Sequence, residues 1–256
     1  MKNSKLSFFC SFLAIALSSC SFYNPISTNV PSYEKKGEVN VGVNLGTSAD
    51  VQLSTNPINH LSIIGTASTS GAITNDQGDF SNSADSLDYK FNRYQFELGL
   101  GYYYMLTDKI QHDFHIGYGI GSAAKKDDFF SDESAYQADF SNIFIQSSLI
   151  IELDDDIKGF ISSKFNYLTM SNFEQSYTYP YNLNYPAKQR EFRDESYWLN
   201  QFSIGLMVDL GPLQLSAQGQ LNFRFTNNLV TDERPLGLYA GVNFNIAEII
   251  SQAKQK

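Results

Sequence analysis

Three histidines, two cysteines and scattered acidic and tyrosine residues are the side chains in this chain best suited to chemistry. His112 and His115 lie three apart, a spacing that sends them to opposite faces of a strand, so they cannot share a metal ion by themselves. His60 is isolated. Ester hydrolysis would need a serine beside a histidine, and no G-x-S-x-G or other nucleophile signature is present. Asp127, Asp128, Asp132 and Glu133 offer hard oxygen ligands for divalent cations, without regular ligand spacing. Asp76-Gln77-Gly78-Asp79 lacks the full spacing of a calcium loop. Tyr177, Tyr179, Tyr181 and Tyr185, interleaved with Pro180 and Pro186, make a rigid aromatic run. Such a run suits stacking on a sugar ring or a protein partner, or packing over the mouth of the fold that carries it. No cofactor and no metal is expected, and the role read from these residues is non-enzymatic.

The elements that must position these residues are strands. In FSIGLMVDLGPLQLSAQGQLNFRF (202–225), Phe202, Ile204, Leu206, Val208 and Leu210 share one face before a tight turn at Gly211-Pro212. Leu213, Leu215, Ala217, Leu221, Phe223 and Phe225 share a face after it, with Ser203, Asp209, Gln214, Gln218, Gln220 and Arg224 on the opposite sides. A period of two over this length means strands with two chemically different faces. The same alternation recurs from Val39 to Leu45, Val51 to Leu53, Leu61 to Ala67, Tyr94 to Tyr104, Ile110 to Ile120, Ile143 to Leu153, Ile157 to Tyr167 and Leu236 to Ile246, giving about ten strands. Tyr136 and Phe140 fall on the wrong parity for the sixth, and a β-bulge near Ser141 would reconcile them.

Connection lengths give the architecture. They are short after strands 2, 4, 6 and 8 and long after strands 3, 5 and 7, with polar segments over about 70–86, 123–134 and 171–195. Short turns at one end and long loops at the other, with an even strand count, describe an antiparallel up-and-down transmembrane β-barrel whose turns are periplasmic and whose loops face outward. A soluble barrel with reversed faces is the rival. Against it, the polar faces are mostly Asn, Gln, Ser and Gly, whereas a solvent-facing side should be roughly a quarter to a third charged. Gly99, Gly101, Gly117, Gly119, Gly121 and Gly205 on those faces suit a crowded interior, and Tyr102, Tyr104, Tyr118, Tyr167 and Trp198 suit interfacial girdles. Following strand direction, the inward charges Glu38, Asp113, Glu152 and Asp209, with Lys158, gather toward the periplasmic end. Arg93, Lys164 and Arg224, with Glu97, gather toward the outer end, and His115 also faces inward, where it could pair with a carboxylate. These charges either bias a narrow path for small anionic solutes or pair across strands in a filled lumen.

Lys2 and Lys5, the apolar Leu6 to Leu17, and Leu17-Ser18-Ser19-Cys20 resemble the signal peptide and lipobox of bacterial lipoproteins. The resemblance implies cleavage before Cys20, lipidation of its thiol and, with Ser21 following, sorting to the outer membrane. Cys10 would be lost with the leader, leaving no disulfide framework and no Cys-based metal site. Tyr239 to Ile246, YAGVNFNI, resembles the terminal-strand signal of outer-membrane barrels, although about ten residues follow it. That resemblance implies handling by the barrel assembly machinery.

A net charge of −9 excludes a nucleic-acid binder, and no run of about 20 apolar residues follows the leader. The chain therefore divides into a signal peptide (1–19), a lipidated tether (20–36), a barrel (37–246) and a short helical or frayed tail (247–256). The expected protein is a lipid-anchored outer-membrane barrel, with its anchor on the periplasmic side in outer-membrane lipid and its surface loops available for a ligand or protein. A narrow pore or transport accessory is the second reading, and a barrel lipid hydrolase the third.

Overall fold

The computed structural model describes residues 26–71, 90–129, 132–178, 188–191, 195–225 and 236–253. Among them are the strands β1 (Val39–Gly46), β2 (Ala49–Thr55), β3 (Leu61–Gly71), β4 (Lys90–Thr107), β5 (Ile110–Phe129) and β6 (Asp132–Asp154). The chain continues through β7 (Ile157–Thr178), β8 (Lys188–Glu191), β9 (Glu195–Leu210), β10 (Leu213–Arg224) and β11 (Leu236–Asn245). It ends in the helix α1 (Ile246–Ala253), whose Glu248 amide donates to Asn245 Oδ1 at 3.1 Å as an N-cap. Every pairing is antiparallel, and β1 closes on β11, so ten strands form a complete barrel. The short β8 lies outside the ring, paired only with residues 174–177 of β7.

Burial decides which way the faces point. Leu98 is 62% exposed and Ile204 56%, whereas Arg93, Gln95, Asp113 and His115 are 0% exposed. Apolar side chains clothe the outside and polar ones fill the inside, which is the arrangement a lipid surround requires and the reverse of a soluble barrel. Tyr94 and Tyr104 stand outward ten residues apart on β4. At ~3.4 Å per residue and ~40° tilt they are about 26 Å apart along the barrel axis, the height of an outer-membrane-type apolar band. Outward Tyr167 and Trp198 pair at 5.0 Å, while Tyr102 packs on His60 at 5.3 Å beside the β2–β3 turn.

Two expectations need correction. The polar stretch 123–134 is no loop: β5 and β6 stay paired to Phe129 and Asp132, and β7 likewise runs to Thr178. Ladder hydrogen bonds do not require apolar side chains, so loss of the apolar outer face marks the end of the lipid band and not the end of the strand. The bulge near Ser141 is also absent, since β5 and β6 keep unbroken register there and Phe140 points inward at 3% exposure. An irregularity lies farther out, where Gln137 pairs with Glu174 but Asp139 with Ser171. Asn172 takes a positive φ of 52° inside it and donates through Nδ2 to Asp139 Oδ2 at 3.0 Å.

Candidate functional site in the barrel lumen

The lumen holds the chain's own residues 26–33, and the exposed residues 34–36 lie at its turn end. This stretch reads in sequence as a period-less tether, yet Ile26, Ser27, Thr28, Asn29 and Tyr33 are buried within the barrel. Near the loop end, the Ser27 amide donates to Asp50 Oδ2 at 2.8 Å, and Gln52 Nε2 donates to Ser27 Oγ at 2.9 Å. Midway, Thr28 Oγ1 meets Ser203 Oγ at 2.6 Å, Asn29 Nδ2 donates to the Gly65 carbonyl, and Gln146 Nε2 donates to the Asn29 carbonyl at 2.7 Å. Val30 packs against Ile150, Phe160 and Met207. At the turn end, Gln111 Nε2 donates to the Pro31 carbonyl, Tyr33 shares a 2.8 Å hydrogen bond with Ser62, and its ring lies 4.9 Å from that of Tyr103.

The chain then reverses at Gly37, whose φ of +83° suits glycine, and β1 rises beside the segment. Asn56 fixes this reversal: its Oδ1 accepts the Glu38 amide at 2.7 Å, and its Nδ2 donates to the Lys35 carbonyl at 2.6 Å. Glu38 accepts the Glu34 and Lys35 amides. Burial pushes the Glu38 carboxyl above the usual carboxylate range, against those hydrogen bonds, which favour its ionised form.

Two inward lysines are ion-paired, and other inward charges meet neutral partners. Lys164 Nζ bonds Glu97 Oε2 deep in the wall and lies 4.4 Å over the Phe144 ring. Gln95 and Asn142 donate to the other Glu97 oxygen at 3.0 and 2.9 Å. Lys158 bridges Asp209 at 2.9 Å and Glu34 of the inner segment at 3.0 Å; Glu152 stands in register with Lys158 but lies half-buried at the turn end. Arg93 is fully buried and donates to Ser68 Oγ at 3.1 Å, while the Arg224 guanidinium sits 4.4 Å over the Tyr197 ring. Asp113 accepts from Gln111 at 2.7 Å. His115 pairs with Ser62 at 2.8 Å, not with a carboxylate. Ser62 is also bonded to Tyr33 and 0% exposed.

Interior aromatic rings crowd three of the inward glycines, Gly117, Gly121 and Gly205. Ala123, Ala138, Phe140, Leu168, Met170, Tyr197 and Leu199 form a buried cluster toward the loop end. A Cβ at Gly117 would lie 2.3 Å from the Phe144 ring, one at Gly121 2.3 Å from Phe140, and one at Gly205 2.5 Å from Phe160. Strand parity alone places Phe140, Phe144 and Phe160 inside; their hydrophobicity pointed the other way. Among the described residues a cavity of about 370 Å³ opens at the turn end, bordered by Glu34, Glu38, Lys158, Asp209 and Glu248 and reaching Asn29 and Gln52.

Other expected positions are not brought together here. Tyr177 is in the part of β7 beyond the bulge, and Asp127, Asp128, Asp132 and Glu133 lie near the tip of the β5–β6 hairpin. Cys20, Tyr179, Tyr181, Tyr185 and the 76–79 run lie outside the described residues. His112 faces outward and meets Ser147 Oγ at 3.0 Å, opposite in direction to His115.

No protein-family model matches the chain, and no curated protein matches it either. Solved structures do. The outer membrane protease OmpT from Escherichia coli aligns with a TM-score of 0.55 at 12% identity, covering 86% of this chain and 100% of that one. The translocator domain of the autotransporter NalP from Neisseria meningitidis aligns with a TM-score of 0.46 at 8% identity, covering 81% and 85%. The first of these likenesses carries the fold: a closed, ten-stranded antiparallel barrel of the outer-membrane type.

Proposed function

We propose that this protein is a lipid-anchored, non-enzymatic component of the bacterial outer membrane, with a closed lumen and with its loop end turned outward for binding. The observation that carries the reading is residues 26–33 hydrogen-bonded along the inside of the wall. Pairing of Lys164 with Glu97 and of Lys158 with Asp209 supports it, because charges spent on each other offer no selective path to an ion. The paired extensions of β5, β6 and β7 beyond the apolar band support an outward binding surface, since they hold loops on rigid strands. Cys20 would carry the lipid. In planar bilayers the intact protein should show no stepwise conductance, and a variant lacking residues 26–33 should show it. Steady conductance of the intact protein would favour the narrow-pore reading.

A further inference from the structure

The inner segment has a direction, and the direction bears on where the chain's amino-terminal end emerges. Tyr33 is at the turn end, bonded to Ser62, the second residue of β3, and through its amide to Gln111, the second residue of β5. Ser27 is at the loop end, bonded to Asp50, the second residue of β2, whose other oxygen accepts Ser48 Oγ in the β1–β2 turn. Read toward the amino terminus, the chain thus climbs the barrel from turn end to loop end. At its top it meets the shortest of the described barrel strands: β1 and β2 have 8 and 7 residues and a turn at residues 47–48, whereas β5, β6 and β7 have 20, 23 and 22. Outward-facing Leu45 and Ala49 flank that turn, so the apolar band reaches almost to its crest.

We infer that the amino-terminal end of the mature chain leaves the barrel through the outer mouth, over the β1–β2 hairpin, and that a lipid on Cys20 would enter the outer leaflet. This rests on the orientation and lipidation proposed above. Cys20 lies seven residues before Ser27, and a chain extends at most ~3.3–3.6 Å per residue, so its reach is about 25 Å. A return to the inner leaflet would use most of that reach doubling back along a lumen through which residues 27–33 already run, bonded to the wall. Crossing the hairpin requires only passage over a two-residue turn beside the lipid surface. Several acyl chains at ~0.8 kcal/mol per buried CH₂ would then hold the segment from the outside.

Single cysteines test the path in intact cells, since the leader takes Cys10 with it and lipid would block Cys20. The full-length protein would carry N24C, or S83C for the outer side, or S251C for the inner side, each checked for heat-modifiable migration. Each would be treated with a membrane-impermeant maleimide before and after permeabilisation. N24C is expected to label in intact cells, as S83C does, while S251C labels only after permeabilisation. Labelling of N24C together with S251C, or in neither state, overturns the inference. The two controls read orientation independently, and incorporation of radiolabelled palmitate into the parent but not C20A reads lipidation, so failure of either premise is distinguishable. As a second measurement, a protease site inserted after Phe22 should be cut in intact cells; resistance there with cleavage after permeabilisation also overturns it.

Discussion

Lys164 and Glu97 show how a charge becomes structural in this wall. Both are nearly inaccessible, and Glu97 has two amide donors besides the ammonium. Removing one member of a buried pair leaves the other unsatisfied, so K164M should lower stability by about 3–5 kcal/mol, with E97Q/K164M less damaging than K164M alone. Urea unfolding in detergent micelles reads both. Close approach makes a second residue-scale case. At Gly117 an added Cβ would also lie 2.4 Å from the Leu98 carbonyl oxygen, while at outward Gly65 the nearest atom is 3.8 Å away. G117A is therefore expected to lose about 1–3 kcal/mol, and G65A to stay near parent stability. Glu38 supplies a pH dependence. Its carboxyl titrates higher folded than unfolded, so its contribution is full below the ordinary carboxylate range and is lost as pH rises through the raised value. The unfolding midpoint of the parent should fall relative to E38Q across that window; parallel curves would refute the assignment. The inward placement of Arg93, Glu97, Asp113, His115 and Lys164 was legible because period two leaves each only one side. Their partners were not, since pairing depends on which side chains converge across the lumen: His115 found Ser62, and Lys158 found Glu34 from a segment without strand periodicity.

At the scale of elements, alternation located each of the ten barrel strands, while their ends were read too short wherever the outer face turned polar. The β5–β6 hairpin is the clear instance, paired through Lys125↔Tyr136 and onward to Phe129↔Asp132 after the apolar outer face has ended. Such an extension contributes little to the lipid-facing belt. Deleting residues 126–135 and rejoining the strands with Asn-Gly should leave the heat-modifiable band and the unfolding midpoint close to parent, because Asn-Gly favours the two-residue hairpin turn. Loss of the compact band would mean that the hairpin holds the barrel mouth. Helix α1 was legible as a tail but not as a position. Ile246, Ile249 and Ile250 recur at helical spacing on a segment following the last strand, with Ile249 and Ile250 exposed. This is the pattern of a short helix resting at a membrane interface.

For the whole molecule, an apolar belt around a polar, occupied interior dictates the medium in which it folds. Unfolded protein diluted into detergent or liposomes should gain a compact, heat-modifiable form, and dilution into buffer alone should yield aggregates. A soluble compact species in buffer would contradict the membrane-spanning assignment. Closure by β1 on β11 means that residues 26–33 are enclosed when the ring is completed, or enter it afterwards from an open end. The reversal at Gly37 joins that segment to β1 through a link of very few residues. A plug tethered this closely meets its site at an effective concentration on the order of millimolar, so even weak individual contacts would reseat it after any displacement. A free peptide of the same sequence at micromolar concentration could not compete with it. Occupancy of the lumen is therefore set by the shortness of the Gly37 turn as much as by the hydrogen bonds along the wall.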